Sequence, residues 1–580
     1  MLRFVSFFFL FSLSMGSYAQ SWLQAGGDIN GVGLGDQSGE YISFSDDGTI
    51  VAVGARWNDI NGNNSGQVRV FQYSSGSWKK LGDDIYGVAG DLTGPVSLSS
   101  DGKTLAVGSE YADYDSIEDR GRVRVFEYSS GAWIQLGDDL LGEGAHDEFG
   151  RPVSLSSDGT IVAIGAKRND GNGNNSGHVR VYKWDGSNWV QRGSDIDGES
   201  ANDNSGHSVS LSSDGTIVAI GAYGNYGGAT AAGHVRVYQW DGSTWVQLGD
   251  DIDGERVEDR SGYSVSLSND GTILAIGARD ADKQEDSPTN HGHVRVFQYS
   301  SGSWTQLGDD IDGEAASDYF GTAVSLSGDG TIFSASAPGN DDKDSDAGHV
   351  RAFKWNGSSW AKLGDNINGE APNDNSGGSE QNAISISNDG TKIAIGARLN
   401  DGAGNNAGHT RIYQYRDPNV TLSSASLLPE VAGATVTVTA TLEFASSSDV
   451  QVTLASTGTA TDGGTDYTLS SNTITIAAGQ TTGTATLTAV ADQISDVGET
   501  IILDIASAVN AIEATEQKVT ITISEDICTD SGGSDLTGIV SVDRKLYKSC
   551  SPYTLTGNLL IQSGATLTID NGVTLNVNNL

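Results

Sequence analysis

The chain has 580 residues, of which 75 are acidic and 33 are basic, giving a formal net charge of −42. A surface this negative repels a phosphate backbone, so we expect no nucleic acid among its partners. Beyond Gln20 no stretch approaches the ~20 apolar residues of a spanning helix, so we also expect no membrane span.

The first residues have the order of a secretory signal peptide. Arg3 is a short positive region, Phe4 to Met15 is an apolar core, and Ser17-Tyr18-Ala19 is a small-x-small cleavage motif. We therefore assign residues 1–19 to a signal peptide that is cleaved after Ala19. This assignment predicts a secreted or cell-surface protein.

Residues 20–416 repeat one unit. The copy from His207 to Gly249 contains four short runs rich in β-branched and aromatic residues, HSVSLS, TIVAIGA, GHVRVYQW and STWVQLG. An Asp-Gly turn joins the first two runs, and HVRVYQW alternates with a period of two. The runs are therefore predicted to be strands joined as hairpins, which we number strands 1 to 4 of each unit.

Three markers of the unit each occur seven times. The turn aspartates are Asp47, Asp101, Asp158, Asp214, Asp270, Asp329 and Asp389. The strand-3 arginines are Arg69, Arg124, Arg180, Arg236, Arg295, Arg351 and Arg411. The strand-4 tryptophans are Trp22, Trp78, Trp133, Trp189, Trp245, Trp304 and Trp360. Four antiparallel strands per unit, repeated this often, are typical of a β-propeller.

The units are out of phase with the ends of this region. The first tryptophan strand, at Trp22, has no strands 1 to 3 before it. The last strand 3, from Gly408 to Tyr415, has no strand 4 after it. Because an open ring would leave unpaired strand edges, we predict a seven-bladed β-propeller in which residues 21–26 are the closing strand.

Two stretches, YFGTAVSLSGDGTIFSASAPGND (Tyr319 to Asp341) and EFGRPVSLSSDG, resemble FG-GAP repeats, the blades of the integrin-alpha propeller. Many members of that family bind calcium in a DxDxDGxxD loop between strands 1 and 2. Here the loop is reduced to SSDGT. Such a turn offers too few oxygen atoms for the six to eight ligands that calcium prefers, so we expect no calcium there.

Three repeated polar features of the propeller are interpreted as structural. Histidines precede strand 3 in five units, at His178, His234, His293, His349 and His409. On successive blades away from the axis they are too far apart to share one zinc ion. Each strand-3 arginine needs a buried carboxylate or carbonyl partner, for which the turn aspartate of the same or next blade is predicted. The loops after strand 4 are acidic, for example at Asp195, Asp197, Glu199 and Asp203. We predict that these carboxylates form a solvated rim, and cation binding is the alternative.

Residues 417–526 are rich in Thr, Val and Ala, alternate with a period of two and contain no tryptophan. About 110 residues with this pattern predict an immunoglobulin-like β-sandwich of roughly seven strands. The stretches PEVAGATVTVTATL, GTATDGGTDYTLSS and VTITISED resemble a Calx-beta domain, the calcium-binding sandwich of sodium–calcium exchangers and many bacterial surface proteins.

The Calx-beta resemblance implies calcium as a cofactor, bound at one end of the sandwich by carboxylates. The matching positions are Glu430, Asp466, Asp492, Asp496, Glu499, Glu525 and Asp526. The family's Asp-Asp pair is Asp492-Gln493 here, which leaves fewer ligands. A sandwich that has lost its metal therefore remains the alternative.

Residues 527–580 are predicted to be a linker and the start of a truncated, β-rich region. The stretch TGNLLIQSGATLTIDNGVTLNV resembles the opening rungs of a parallel β-helix. Because such rungs need several neighbours to bury a core, we expect the chain to be part of a longer surface protein. The two cysteines, Cys528 and Cys550, are expected to form a disulfide in an exported protein.

The repeated loops are short and alike, and no G-x-S-x-G or H-E-x-x-H motif is present. Catalysis needs one unique cluster of reactive groups, so we expect the protein not to be an enzyme. The leading hypothesis is a calcium-binding adhesion or ligand-recognition protein. Its propeller would bind an extracellular protein or glycan, and its Calx-beta domain would be a calcium-stiffened spacer. The alternative is a secreted polysaccharide-active enzyme, with its catalytic part in the propeller channel or in a missing C-terminal region.

Overall fold

The computed structural model describes residues 21–226, 231–282, 289–378, 382–430, 433–446, 448–462, 466–490, 499–525, 535–540, 544–546, 553–569 and 573–577. Every regular element among these residues is a β-strand, so the protein is all-β, as predicted. The described chain holds no helix with the length and apolar character needed to cross a membrane. Two compact units are present, Gln20–Arg416 and Asp417–Leu580.

Seven five-stranded sheets make up the unit Gln20–Arg416. Two short strands come first, β1 (Trp22–Gln24) and β2 (Ile29–Asn30). Sheets 1, 2 and 3 follow, comprising β3 (Tyr41–Phe44), β4 (Ile50–Ala55), β5 (Gln67–Ser74), β6 (Ser77–Lys80) and β7 (Ile85–Tyr86); β8 (Thr93–Leu98), β9 (Thr104–Ser109), β10 (Arg122–Ser129), β11 (Ala132–Gln135) and β12 (Leu140–Leu141); and β13 (Val153–Leu155), β14 (Ile161–Ala166), β15 (His178–Trp184), β16 (Trp189–Gln191) and β17 (Ile196–Asp197).

Sheets 4 to 7 repeat this plan. They comprise β18 (Ser208–Leu211), β19 (Ile217–Ala222), β20 (His234–Trp240), β21 (Trp245–Gln247) and β22 (Ile252–Asp253); β23 (Ser261–Leu267), β24 (Ile273–Ala278), β25 (His293–Ser300), β26 (Ser303–Gln306) and β27 (Ile311–Asp312); β28 (Val324–Leu326), β29 (Ile332–Ala337), β30 (His349–Trp355), β31 (Trp360–Lys362) and β32 (Ile367–Asn368); and β33 (Ile384–Ile386), β34 (Lys392–Ala397) and β35 (His409–Tyr415) with β1 and β2. Strands 1 to 4 of each sheet lie side by side, and the two-residue fifth strand pairs with strand 3.

The N-terminal strand completes sheet 7, as the repeat phase predicts. β1 pairs antiparallel with β35, with Trp22 opposite Tyr415. The Trp22 indole is 2% exposed and donates a hydrogen bond of 2.9 Å to the Leu363 carbonyl of sheet 6. The other six strand-4 tryptophans donate to the preceding sheet in the same way, at distances of 2.7–3.0 Å.

A closed set of hydrogen bonds joins the first strands of all seven sheets. A strand-1 serine of one sheet accepts the backbone N–H of strand 1 in the next sheet, at 2.9–3.1 Å. The pairs are Ser43–Leu98, Ser97–Leu155, Ser154–Leu211, Ser210–Leu267, Ser266–Leu326, Ser325–Ile386 and Ser385–Phe44. Since the last pair returns to sheet 1, the sheets form a ring with strand 1 nearest its axis.

The turns between strands 1 and 2 close a second circle, which we name the turn circle. Backbone N–H groups donate to carbonyls of the neighbouring turn at 2.8–2.9 Å, through residues 46, 100, 157, 213, 269, 328, 388 and back to 46. The Asn269 side chain donates to that of Asn388 at 2.7 Å, and a Cβ at Gly328 would collide with both amides. Glycine at this position leaves room for the two amide side chains to meet; a larger residue would have to displace them.

The predicted partner of the strand-3 arginine is wrong. The turn aspartate caps its own turn: Asp214 accepts bonds from the Ser212 hydroxyl at 2.8 Å and the Thr216 N–H at 2.9 Å. Partial burial opposes ionisation, yet these bonds hold the pKa of Asp214 below its usual value. Arg236 instead donates to the Asp197 carbonyl of the preceding sheet at 2.6 Å. The aspartate bonds to its own turn and not to the arginine, because the turn and the arginine lie at opposite ends of the sheet.

The second unit contains two further five-stranded sheets. Their strands are β36 (Asn419–Ser424), β37 (Leu427–Glu430), β38 (Thr435–Leu442), β39 (Val450–Gly458), β40 (Tyr467–Leu469), β41 (Thr473–Ile476), β42 (Thr482–Ala489), β43 (Thr500–Val509), β44 (Ile512–Glu513) and β45 (Lys518–Glu525). The sheet orders are β40-β42-β38-β36-β44 and β37-β45-β43-β39-β41. Apolar side chains of both sheets, such as Val438 and Leu503, share one buried core.

The remaining strands pair in parallel. They are β46 (Asp535–Val540), β47 (Arg544–Leu546), β48 (Tyr553–Ile561), β49 (Leu567–Ile569) and β50 (Leu575–Val577). β48 lies between β46 and β50, and β47 pairs with β49. Cys528, Cys550 and residues 1–19 lie outside the described residues, so the disulfide is not shown and the signal peptide stays a prediction.

Candidate functional site

The end of the ring opposite the turn circle carries the residues that differ most between repeats. Strand 1 begins there and strand 2 ends there, so two positions per sheet lie near the axis. The first position is the residue that follows the glycine leading into strand 1: Glu40, Pro95, Arg151, His207, Tyr263, Thr322 and Gly378. After strand 2 they are Arg56, Glu110, Lys167, Tyr223, Arg279, Pro338 and Arg398.

A buried chain of ion pairs joins sheets 1, 2 and 3 at this end. The Glu110 carboxylate, fully buried, lies 2.9 Å from Arg56 and 3.1 Å from Arg151. Arg56 is also 3.0 Å from the buried Glu40 carboxylate. Burial opposes ionisation of Glu110, but Arg151 and Arg56 hold its pKa below the usual value. Glu110 is therefore ionised at neutral pH.

Glu148, which precedes strand 1 of sheet 3, adds further ion pairs to this buried series. Its carboxylate contacts the Lys167 ammonium at 3.0 Å and the Arg168 guanidinium at 2.7 Å, and accepts the Tyr111 hydroxyl at 3.2 Å. Burial and the charge of Glu148 raise the pKa of Tyr111 to about 12. Burial, with Arg151 next, lowers the pKa of Lys167.

His207 of sheet 4 lies between two tyrosine rings. Its ring centre is 4.4 Å from that of Tyr223 and 4.7 Å from that of Tyr263. Burial, followed by the charges of Lys167 and Arg151, pushes the pKa of His207 well below its ordinary value, so the imidazole is neutral at pH 7. Arg279 of sheet 5 lies over the Tyr263 ring at 4.8 Å.

We name these residues the axial network: Glu40, Tyr41, Arg56, Glu110, Tyr111, Glu148, Arg151, Lys167, Arg168, His207, Tyr223, Arg260, Tyr263, Arg279 and Asp280, the last of which pairs with Arg260 and Arg279. Six basic side chains face four carboxylates, an excess of positive charge in a chain of net charge −42. Arginines beside aromatic faces can hold an anion that carries a ring. The neutral imidazole of His207 could also act as a general base.

The sequence interpretation missed the axial network because no single repeat contains it. The ion pairs join residues 54 and 41 positions apart, from three different sheets. A signal was nevertheless present in the sequence. When the units are aligned on the glycine before strand 1 and on the Asp-Gly turn, the two axial positions change between acid, base and aromatic, whereas the strand residues around them hardly change.

The acidic residues of the loops after strand 4 have two different roles, one within the loop and one beside a histidine. Asp203 is fully buried and accepts the backbone N–H groups of Glu199 and Ser200 at 3.1 and 2.8 Å, so it holds the loop together. Asp195 lies 3.6 Å from His178, and Glu143 completes a three-residue group with them. The histidines thus do not meet one another, as expected, but each meets two carboxylates.

The structure brings part of the predicted calcium site to one end of the β37–β45 sheet. Glu430 and Glu525 are backbone partners on adjacent parallel strands. The carbonyl of Glu499 accepts the Ile523 N–H at 2.9 Å at the same end. The Asp466 carboxylate accepts the Thr461 N–H at 2.5 Å in the loop after β39. Asp492, Asp496 and Asp526 lie outside the described residues.

Comparison with known proteins matches residues 142–182 to a family model described as FG-GAP repeat. No curated protein matches the chain. Among similar solved structures, Pseudomonas aeruginosa periplasmic gluconolactonase PpgL is 16% identical, with a TM-score of 0.40, over 57% of this chain and 86% of its own. The β-propeller domain of the Trilobed protease from Pyrococcus furiosus is 9% identical (TM-score 0.34; 60% and 88%), and Pyrococcus horikoshii acylaminoacyl peptidase is 9% identical (0.37; 69% and 58%).

The prediction that the protein is not an enzyme is wrong. Solved structures similar to this chain include a gluconolactonase and an acylaminoacyl peptidase. That prediction relied on the similarity of the loops, whereas the residues nearest the axis differ from sheet to sheet and form the asymmetric axial network. The chain thus contains an FG-GAP repeat within a propeller-like, all-β fold.

Proposed function

We propose that the chain is a secreted or cell-surface protein that recognises an acidic extracellular glycan at the axial network. In this proposal the ring is a seven-bladed β-propeller closed by its N-terminal strand. The signal-like residues 1–19 support export. The observation that carries the proposal is the axial network itself, where an otherwise repetitive ring is asymmetric and basic.

The chemistry of the network favours a carboxylate-bearing sugar polymer. Arg168 and Arg260 are its most accessible cations, with side chains 50% and 47% exposed. Arg260 also lies over the Tyr223 ring at 5.9 Å. A guanidinium binds a carboxylate through two parallel hydrogen bonds, and a neighbouring aromatic face covers the apolar side of a sugar ring.

Binding of a galacturonate oligomer tests this proposal. We expect the full chain to bind the oligomer more tightly than a neutral galactose oligomer of equal length in calorimetric titration. Arg168→Gln and Arg260→Gln should each weaken binding about tenfold, equivalent to about 1.4 kcal/mol for a charged hydrogen bond. The control is Lys183→Gln, which removes an exposed cation from the outer part of sheet 3. Equal affinity for both oligomers would contradict the proposal.

A second candidate function is cleavage of the same polymer by a polysaccharide-active enzyme. The buried, neutral imidazole of His207 favours it, because a neutral imidazole can act as a general base. Chromatography of the incubated oligomer separates the two functions. Shortened products that disappear in His207→Gln would assign the enzyme, whereas an intact, bound oligomer would assign recognition alone.

We further propose that the second unit is a Calx-beta sandwich that binds calcium and acts as a stiffened spacer. The proposed ligands are Glu430, Asp466, Asp492, Asp496, Glu499, Glu525 and Asp526. Support comes from the backbone positions of Glu430, Glu499 and Glu525 at one end of a sheet. The parallel strands after residue 535 support a β-helix-like fold for that part of the chain.

Calcium is expected to stabilise the second unit. At 100 times its dissociation constant it should raise the free energy of unfolding by about 2.7 kcal/mol. Calorimetry of the full chain with calcium or with chelator measures this shift. Glu499→Gln should reduce it, whereas Asp504→Asn, a matched loss of one carboxylate in the middle of β43, should not. An unfolding transition whose midpoint is the same with calcium and with chelator would contradict the calcium assignment.

A further inference from the structure

Five junctions between neighbouring sheets carry the same three-residue group, which we name the junction triad. Each contains the histidine that opens strand 3, a glutamate from the segment entering that sheet, and one aspartate. The triads are Glu143–His178–Asp195, Glu199–His234–Asp251, Glu255–His293–Asp310, Glu314–His349–Asp342 and Glu370–His409–Asp28. In each triad one nitrogen and two carboxylate oxygens lie within 4.8 Å of one another.

The histidines of the triads are buried with nitrogens that lack hydrogen bonds. His234 is 1% exposed, and neither ring nitrogen has a hydrogen-bond partner among the described residues. Nε2 of His349, in a side chain that is 0% exposed, is also without one. An unsatisfied buried polar group costs about 1–3 kcal/mol, and here it recurs in sheet after sheet.

The distances within a triad suit a shared ion better than a hydrogen bond. Nδ1 of His178 and His234 lie 3.6 and 3.8 Å from their aspartate oxygens, and Nε2 of His349 lies 3.8 Å from Glu314. A hydrogen bond would require about 3 Å. Two ligands at ~2.1 Å from one tetrahedral ion are roughly 3.4 Å apart. The five glutamates also contact the strand-3 arginines of their sheets, but they are 38–54% exposed. They can therefore rotate away from the guanidinium and onto an ion beside the fixed imidazole.

Sheets 1 and 2 provide an internal comparison. In sheet 1 the histidine position is Gln67 and the glutamate position is Val32; in sheet 2 they are Arg122 and Val88. Histidine and glutamate are thus present together in five sheets and absent together in two. Gln67 donates directly to Asp84 at 3.0 Å, and Arg122 to Asp139 at 3.4 Å, so these junctions satisfy their polar groups without an ion.

Sheet 6 keeps a triad although its usual aspartate is missing. Asn366 stands where sheet 4 has Asp251. Asp342, in the loop before strand 3, supplies the carboxylate instead, with an oxygen 3.7 Å from His349. The corresponding loop residue is glycine in sheets 3 and 7, Gly171 and Gly402. In sheet 6 the carboxylate missing at Asn366 is therefore replaced by that of Asp342.

We propose that each junction triad binds one divalent first-row transition ion, of the Zn²⁺ or Mn²⁺ class, which links neighbouring sheets. One imidazole and two carboxylates form a donor set for such ions, with water completing the coordination. Calcium would require six to eight oxygen ligands, which a triad does not offer. This role is independent of glycan recognition at the axial network, and it gives the acidic rim a defined function.

Zinc stoichiometry tests the proposal. The full chain is dialysed against Zn²⁺ in excess Ca²⁺, and bound zinc is counted by mass spectrometry. We expect about five ions, one per triad. His234→Gln should bind one fewer, whereas His146→Gln, which changes an exposed histidine outside the triads, should bind the same number.

A gain of zinc gives the sharper result. Sheet 1 already has Asp84, so the double variant Val32→Glu/Gln67→His should acquire one additional ion and a zinc-dependent rise in melting temperature. Equal zinc content in wild type, His234→Gln and the double variant would overturn the proposal. Zinc content well below one ion per chain in wild type would overturn it as well.

Discussion

Replacing Trp22 with alanine is expected to lower the free energy of unfolding of the ring by about 3–5 kcal/mol, the cost of truncating a fully buried tryptophan. Trp22 is the strand-4 tryptophan of sheet 7, and it packs edge-on against Tyr415 with ring centres 5.2 Å apart. Its indole also bonds to the Leu363 carbonyl. The variant loses contacts with both sheets that the N-terminal strand joins, so we expect the largest effect of any single strand-4 residue.

Denaturant unfolding followed by tryptophan fluorescence measures this effect. All 11 tryptophans lie between residues 22 and 360, so the signal reports the ring and not the second unit. Leu23→Ala is the matched control, because Leu23 is in the same strand but 43% exposed. A surface change of this kind should stay within about 0.5 kcal/mol. Equal midpoints for Trp22→Ala and Leu23→Ala would show that the strand does not hold the ring closed.

Glu110→Gln is expected to destabilise the ring by about 3–5 kcal/mol, because it leaves two buried arginines without their shared carboxylate. Arg56 and Arg151 both contact Glu110, and their side chains are only 14% and 9% exposed. Glutamine preserves the volume of the side chain, so the loss reflects charge and not a cavity. Glu127→Gln, an exposed glutamate on β10 of the same sheet, is the control and should be nearly neutral.

The same variant predicts a change in acid stability. The pKa of Glu110 is lower in the folded protein than in the unfolded chain, since the two arginines outweigh burial. Its contribution is therefore complete above the unfolded pKa of about 4.3 and is lost as the pH falls through the lower, folded pKa. Wild type should lose stability more steeply than Glu110→Gln across this acid window. Parallel pH profiles of the two proteins, measured by unfolding midpoint, would contradict the ion-pair assignment.

The closure of the ring was readable in the sequence because it depends on counting and on phase. Trp22 has the sequence context of every other strand-4 tryptophan, and its pairing with Tyr415 follows once a seventh sheet lacks that strand. Strand positions were also readable, since β-branched runs and Asp-Gly turns are local signals. Ring closure and strand positions can be predicted without knowing which side chains of different sheets are in contact.

Contacts between sheets were the part that sequence reasoning could not assign. The sequence predicts a turn aspartate as the partner of the strand-3 arginine. In the structure Arg236 donates to a backbone carbonyl, which no residue type reveals, and lies 3.6 Å from the Glu199 carboxylate. The histidines were compared only with one another, so their separate carboxylate partners were overlooked. Glu110 meets Arg56 and Arg151 only because three successive sheets converge at the axis.

The pairing of β1 with β35 also determines the order in which the ring can be assembled. Each of sheets 1 to 6 is made of consecutive strands and can form as soon as its own residues are available. The strand containing Trp22 is synthesised first, but its partner, ending at Tyr415, is synthesised last. Closing so long a loop carries the largest entropic cost in the unit. We therefore expect ring closure to be the final step of folding. Until then the unpaired strand containing Trp22 has a free edge that could pair with other chains.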